Sequence, residues 1–282
     1  MKILATIITY NPEYDLLNYN LLKLIKQVDE ILIVNNGDTL TRDKINNMSK
    51  LTIIENEINK GIACALNTAL QYAVENQYIY LLSMDQDSII PDYFVINLMK
   101  YFDLYENVGV VGPNIIEKEL GENKSNNVNE TSEVTHVITS GSLNDVQALV
   151  KSGGFDEKLF IDMVDLDMSY KVIDSGYKII QTSEVELEHR IGEPEIRVHL
   201  FKKHFIRNHS PFRKYFFVRN RLYLAFKYRS RGLKFVFGHL IGIVYYTYIT
   251  MMFETNKIFK LKMILLGVFD FLRGNYDNRI MK

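Results

Sequence analysis

Four short runs of Ile, Leu, Val and Tyr recur through the first 85 residues, with stretches of helical periodicity between them. ILATIITY (3–10), EILIVNN (30–36), LTIIEN (51–56) and YIYLLSMD (78–85) are near-continuously apolar, as strands buried on both faces must be. Apolar positions spaced three and four apart over 16–27 and 63–76 read as helices. This alternation predicts an α/β fold with a mostly parallel central sheet flanked by helices. In such sheets the binding crevice opens beyond the carboxyl ends of the strands. Here those ends are Tyr10-Asn11, Asn35-Asn36, Asn56-Glu57 and Asp85-Gln86-Asp87, all polar. The polar stretch 117–133 reads as a loop near that crevice.

The net charge of −1 hides a division of the chain into oppositely charged parts. Residues 197–282 carry 18 Lys and Arg against 3 Asp and Glu, so the last 86 residues sum to +15 and the first 196 to −16. Between Arg197 and Lys234 there are twelve basic residues, no acidic one and nine aromatic rings. A basic, aromatic segment calls for an anionic partner, either a membrane surface or nucleic acid. Phe235–Phe253 then runs nineteen residues without Asp, Glu, Lys or Arg, but His239, three tyrosines and two threonines make it a poor lone span. It would lie in a membrane interface, pack inside the molecule or pair in a homodimer. These contrasts divide the chain into a domain over 1–205 and a basic, aromatic, helical region over 206–282. One cysteine, Cys64, excludes a disulfide framework and suits a reducing compartment, and no cleavage-site pattern follows the first strand, so a cytoplasmic location is expected.

Two acidic clusters could carry chemistry. Asp85 and Asp87 follow a buried strand, where paired carboxylates can hold a hard divalent cation, although aspartate is also common in ordinary turns. The stretch 160–172, FIDMVDLDMSYKV, sets Asp162, Asp165 and Asp167 among apolar residues. Desolvation there would raise a carboxylate's pKa and suit a general base, while acids at a helix start also simply complement its dipole. No GxGxxG, GxxxxGK[ST] or GxSxG motif occurs, and Cys64 falls on an apolar helical face, which makes it a core residue rather than a nucleophile.

Taken in order, TYNP (9–12), ILIVNNGD (31–38), NKGIACALNTAL (59–70), LLSMDQDS (81–88), VGVVGPNI (108–115), ITSGSL (138–143), GGFDEKLFIDMVDLDMSYKV (153–172), LEHRIG (187–192) and YFFVRNRLYL (215–224) resemble family 2 glycosyltransferases of the GT-A fold, in their bacterial rhamnosyltransferase-like branch. The resemblance implies a nucleotide pocket lined by Thr9, Tyr10, Asn11, Pro12, Asn36, Asn59, Gly61 and Asn67. Asn36 stands where the family often has Asp. Asp85, Gln86 and Asp87 match the DxD motif, with Asp85 toward the ribose and Asp87 on Mg²⁺ or Mn²⁺. Ser140 and Gly141 match the stretch beneath the donor sugar, and Asp165 matches the catalytic base, with Val164 in place of a preceding Glu, Lys171 in place of Arg and Asp162 as a rival. His189 matches a residue that completes metal or diphosphate binding, or is structural. Arg219 of the RN pair would grip the diphosphate or serve the basic face.

The implied activity is an inverting, metal-dependent sugar transfer from a nucleotide-diphospho-sugar donor, dTDP-L-rhamnose or else a UDP-hexose. The acceptor implied is a lipid-linked saccharide of a bacterial surface polysaccharide, at the inner face of the cell membrane. The anionic membrane surface then gives the basic region its partner. A nucleic-acid-binding protein would explain the basic half but leave the acidic crevice unused, so no nucleic-acid partner is expected. A silent nucleotide-sugar-binding subunit is the third reading.

Overall fold

The computed structural model describes residues 2–46, 49–116, 130–188, 195–199 and 202–277. The chain forms two compact units, one of Met1–Glu157 with Val164–Arg190, the other of Lys158–Met163 with Ile191–Lys282.

The first unit is built on an eight-stranded sheet. Its strands are β1 (Ile3–Thr9), β2 (Glu30–Asn35), β3 (Leu51–Glu55), β4 (Tyr80–Asp85), β5 (Val108–Ile116), β6 (Ser132–Glu133), β7 (Ser142–Asp145) and β8 (Lys178–Glu188). Their order is β3-β2-β1-β4-β7-β5-β8-β6. The first four are mutually parallel and β5 runs parallel to β8, whereas β7 is antiparallel to both β4 and β5, and β6 to β8. Among the described residues of this unit five α-helices occur: α1 (Tyr14–Leu24), α2 (Ile62–Glu75), α3 (Phe94–Leu104), α4 (Val146–Lys151) and α5 (Val164–Asp174). The core includes Ile3, Ala5 and Ile7 of β1, Ile31 and Ile33 of β2 and Leu82 and Met84 of β4, clustered with Leu17, Leu21 and Leu24 of α1 and Phe94 and Leu98 of α3.

The expected α/β fold, a central sheet with helices, is present, with two departures. The first helix starts two residues before the expected Leu16 and stops at Leu24 rather than Gln27. Gln27 is instead drawn to another element: its side chain donates to Pro91 O (2.9 Å) and accepts from Val95 N (3.1 Å), satisfying a free amide in the first turn of α3. The second departure is β7, which sits in the middle of the sheet. Its Asn144 is fully buried and donates to Leu81 O and Ser142 O, both at 2.9 Å, so a polar side chain fastens a short strand that apolar patterning does not reveal. Of the loop expected over 117–133, residues 117–129 lie outside the described residues, and Ser132–Glu133 form β6.

Among its described residues the second unit has an antiparallel strand pair, β9 (Glu195–His199) with β10 (Lys202–Ile206), and three α-helices, α6 (Pro211–Lys227), α7 (Leu233–Phe253) and α8 (Lys257–Leu272). Ser210 caps α6 by accepting from Arg213 N (3.3 Å), with Pro211 at the first helical position. Gly267 lets α8 lie against α6, since a Cβ there would stand 2.7 Å from Tyr215 O. Lys214, Glu254 and Lys260 are all buried. Lys214 Nζ donates to Glu254 Oε1 (2.6 Å) and Thr250 Oγ1 (2.8 Å), and Lys260 Nζ donates to Glu254 Oε2 (2.8 Å) and Asn208 Oδ1 (2.7 Å). The Lys214 ammonium also lies 3.9 Å from the centre of the Tyr246 ring. One carboxylate thus serves two buried ammonium groups, and its loss leaves both uncompensated.

Glu254→Gln is therefore expected to lower stability by about 3–5 kcal/mol, more than the roughly 1–3 kcal/mol of overpacking expected for Gly267→Ala. Urea unfolding of the two variants checks the ranking; equal or reversed losses would contradict it.

Candidate functional site

Strand register assembles the site's floor. Parallel pairing sets Thr9 of β1 beside Asn35 of β2, Ile8 beside Asp85 of β4, and Asn35 beside Glu55 of β3. Tyr10-Asn11, Asn36, Asn56 and Gln86-Asp87 therefore leave the sheet side by side at one edge. Polar side chains lock these ends together. Thr9 Oγ1 donates to Asn35 Oδ1 (2.9 Å), and Asn35 Nδ2 donates to Asp38 O (2.8 Å) and Glu55 Oε2 (2.6 Å). Asn36, almost fully buried, donates to Gly61 O (3.0 Å) and accepts from Asn56 Nδ2 (2.8 Å) and Lys60 N (3.4 Å). Its amide is a strut between β2, β3 and the loop before α2. In that loop Asn59 Oδ1 accepts from Gly61 N (2.9 Å), and Gly61, at φ +84°, occupies a conformation that favours glycine as it opens α2.

The turn after β1 is held just as closely. Asn11 adopts φ +49° and its Oδ1 accepts from Asp38 N (2.9 Å), with Pro12 buried behind it. The Tyr10 side chain stays 56% exposed, so an aromatic group stands open to solvent just past the end of β1. Gln86 reaches across from β4, its Oε1 accepting from Tyr10 N (2.8 Å). Ser140 and Gly141 complete this group: Ser140 Oγ accepts from Asp85 N (3.3 Å) and donates to Ser88 Oγ (3.3 Å), while Gly141 N donates to Ser83 O (2.7 Å). At Gly141, φ +77°, a Cβ would stand 2.5 Å from Leu187 Cδ2, so only glycine fits.

Asp85 and Asp87 are half-buried at this edge, and among the described residues no third His, Cys, Asp or Glu joins them in a metal-binding group. Two carboxylates supplying oxygen alone fit a Mg²⁺ or Mn²⁺ ion that takes its remaining ligands from phosphate and water, rather than a cage closed by protein. His189 lies outside the described residues; the last described residue of β8, Glu188, pairs with Ile89, two residues beyond Asp87.

A second group of expected residues gathers around the loop 153–157. Asn67 of α2 clasps it, donating to Phe155 O (2.9 Å) and Glu157 Oε1 (2.8 Å) and accepting from Phe155 N (2.8 Å). Lys171 of α5 holds the same loop through Gly153 O (3.0 Å) and Gly154 O (2.6 Å). Asp165, half-buried in the first turn of α5, has its Oδ1 accepting from Leu166 N (2.9 Å), whereas Asp167 is fully buried. Cys64, expected in the core, is only half-buried and lies off the buried face of α2; that partial burial pushes its thiol pKa up.

Asp162 and Arg219 lie in the second unit. Arg213 grips Asp162 with Nη2 on Oδ1 (2.9 Å) and Nε on Oδ1 (3.1 Å) and Oδ2 (3.3 Å). Burial opposes the Arg213 charge, but Asp162 outweighs it and holds the guanidinium's pKa above its usual value. Asp162 and Met163 both adopt positive φ, +65° and +67°, a strained pair immediately before α5 begins. Asn220 donates to Ile161 O (2.8 Å) and Asp162 O (3.3 Å); Arg219, fully buried, donates to Lys158 O (2.7 Å) and Asn220 Oδ1 (3.1 Å). The RN pair therefore fastens the backbone of 158–162. Sequence reasoning did not single out Arg213, because nothing in a basic run marks which arginine meets an acid 51 positions earlier.

The sequence model described as Glycosyl transferase family 2 matches residues 5–148, just over half of the chain. The chain is a family 2 glycosyltransferase. The enzyme is 29% identical over 289 aligned positions to the dTDP-rhamnosyl transferase RfbF of Shigella flexneri, covering 97% of this chain and 96% of that protein. Solved structures share its fold at low identity. TarS of S. aureus, residues 1–349, matches with a TM-score of 0.63 at 14% identity over 98% of this chain and 82% of its own. The mannosyltransferase PcManGT of Pyrobaculum calidifontis, solved with GDP-Man and Mn²⁺, matches at 0.57 and 15% identity over 96% of this chain and 75% of its own. GalNAc-T7, solved with UDP, GalNAc and Mn²⁺, matches at 0.55 and 13% identity over 67% of this chain, which spans only 43% of that protein.

Asn36→Asp puts a carboxylate oxygen against Gly61 O where an N–H now donates, and is expected to lower stability by about 1–3 kcal/mol. Thermal unfolding monitored by circular dichroism checks this; an unchanged midpoint would show that the strut carries no weight.

Proposed function

We propose that this glycosyltransferase moves L-rhamnose from dTDP-L-rhamnose onto a lipid-linked saccharide of a bacterial surface polysaccharide, with inversion at the anomeric carbon. The strand register supports the reading, because it sets Asp85 beside Ile8 and so brings the acidic pair to the same sheet edge as Tyr10 and Asn36. The near full-length similarity to a dTDP-rhamnosyl transferase supports rhamnose over a UDP-hexose.

In this reading Tyr10 and Asn11 face the base, and the first turn of α2 presents backbone amides to anionic groups. Asp85 and Asp87 would hold Mg²⁺ or Mn²⁺, which when bound draws charge from the diphosphate. Ser140 and Gly141 shape the floor under the donor sugar. Asp165 accepts the proton of the acceptor hydroxyl; the freed oxygen pair bonds to the anomeric carbon as its bond to the diphosphate oxygen breaks, and that pair leaves on dTDP. One displacement inverts the centre. Asp165 is favoured over Asp162 as base because the Asp162 carboxylate is already occupied by the Arg213 guanidinium. The basic region 206–282 holds the enzyme at the cytoplasmic face of the membrane, where a lipid-linked acceptor presents its saccharide.

The test is release of nucleoside diphosphate from a panel of dTDP-rhamnose, UDP-glucose, UDP-galactose, UDP-N-acetylglucosamine and GDP-mannose, with membrane-extracted lipid-linked acceptor. Turnover of dTDP-rhamnose alone is expected, dependent on a divalent metal, abolished by Asp87→Ala and reduced about 10²–10⁴-fold by Asp165→Asn. Turnover of a UDP-hexose would overturn the donor assignment, and undiminished activity in Asp165→Asn would overturn the base.

A further inference from the structure

The acidic residues of the second unit's helices are hidden. Between 197 and 276 the only ones are Glu254 and Asp270, 4% and 8% exposed. Glu254 is taken by Lys214 and Lys260, and Asp270 accepts from Tyr215 OH (2.7 Å). Exposed cations lie on the same surface elements: Lys227, Arg229, Arg231 and Lys234 cluster at the approach to α7, Lys262 lies on α8 and Arg273 caps its end.

Between these cations the same helices leave large apolar side chains bare. On α7, Leu233 (75% exposed), Phe237 (56%), Ile241 (66%) and Val244 (69%) follow one another at steps of four, four and three, which keeps them on one face. On α8, Ile258 (74%), Leu265 (59%), Phe269 (45%) and Leu272 (73%) do the same, with Lys262 among them at helical spacing. Only 17% of the most apolar window of α7 is buried, so it is not a core helix. Its other face is committed to protein: Leu240, Ile243 and Tyr246 pack with Val218, Leu222 and Ile264, and Thr250 accepts from Lys214. Sending α7 across a bilayer would strip that face from α6 or drag α6's lysines and arginines into hydrocarbon.

We infer that the exposed stripes of α7 and α8 dock flat on an anionic lipid bilayer, apolar side chains in the acyl boundary and Lys234, Lys262 and Arg273 among the headgroups, without crossing it. This rests on the reading that the acceptor is lipid-borne, and names the face and the mode of attachment. The charge decides the occupant. A second copy of the same chain would bring an equally cationic rim against this one, whereas anionic headgroups complement it.

The full-length enzyme is sedimented with vesicles of phosphatidylcholine alone and with vesicles containing about one-quarter phosphatidylglycerol. Binding is expected to the anionic vesicles, weakened at high salt. Ile241→Asp/Leu265→Asp, at positions already open to solvent, is expected to weaken it about tenfold or more while leaving the unfolding midpoint and calorimetric donor binding unchanged; Lys234→Glu/Lys262→Glu is expected to abolish the preference for anionic lipid. Absence from both pellets, or retention by the Asp variant, would overturn the inference. So would a dimer in analytical ultracentrifugation that the Asp variant dissociates, or a salt-sensitive gel shift with RNA or DNA in place of vesicle binding. An enzyme that turns over a donor in solution yet ignores vesicles refutes the docking and leaves sugar transfer standing. One that binds vesicles but no nucleotide sugar does the reverse.

Discussion

Parallel pairing of β2, β1 and β4 is the constraint on which the rest of the site depends. A strand buried on both faces cannot slip by one residue without turning its whole pattern of side chains over, so the apolar runs fix the register. That register sets Asn35 beside Thr9 and Asp85 beside Ile8, one residue earlier on β1. Everything polar at the edge then bonds laterally: Thr9 to Asn35, Asn35 to Glu55, Asn36 to Gly61, Gln86 to Tyr10 and Asp85 to Ser140. Each lateral bond ties two segments that are far apart in sequence, so the strand ends at this edge are held together by the chain's own side chains. Preorganisation of this kind is what lets polar groups act on a charged ligand without first being ordered by it.

The second unit solves a different problem, that of a strongly basic chain with few acids. It spends Glu254 on two lysines and Asp270 on a tyrosine, both inside, which cements the helices at the cost of leaving the surface positive. A third pairing, Arg213 with Asp162, combines with the Arg219-Asn220 bonds to fix a strained backbone turn. The residue that completes this turn, Met163, precedes α5 directly, and Asp165 is the second residue of that helix.

How much of this could be read from the residues varies with the kind of information involved. The strands β1 to β4, the helix after Gly61 and the acidic pair at Asp85 and Asp87 were legible, because apolar runs and turn residues are local signals. β7 was not, since a four-residue strand centred on a buried asparagine has no apolar pattern. Asn36 and Asn67 were read as pocket-lining residues; the structure shows their amides bonded to Gly61 and to Phe155 and Glu157, partners no spacing rule could indicate. The same holds for Arg219, whose burial contradicts the usual exposure of arginine and follows only from three-dimensional packing. The uncharged run of α7 was plain in the sequence, but which of its faces stays bare was decided by Tyr246, Ile243 and Leu240 packing against α6 and α8.

The most direct test of the site is calorimetric titration of dTDP-rhamnose into the intact enzyme with Mn²⁺, with a chelator, and with Asp85→Asn/Asp87→Asn in Mn²⁺. Saturable binding in the first case, weakened about tenfold or more in the other two, is the expected result. Equal affinity in all three, or no binding in any, would mean that the acidic edge beside β1 is not where a nucleotide sugar is held.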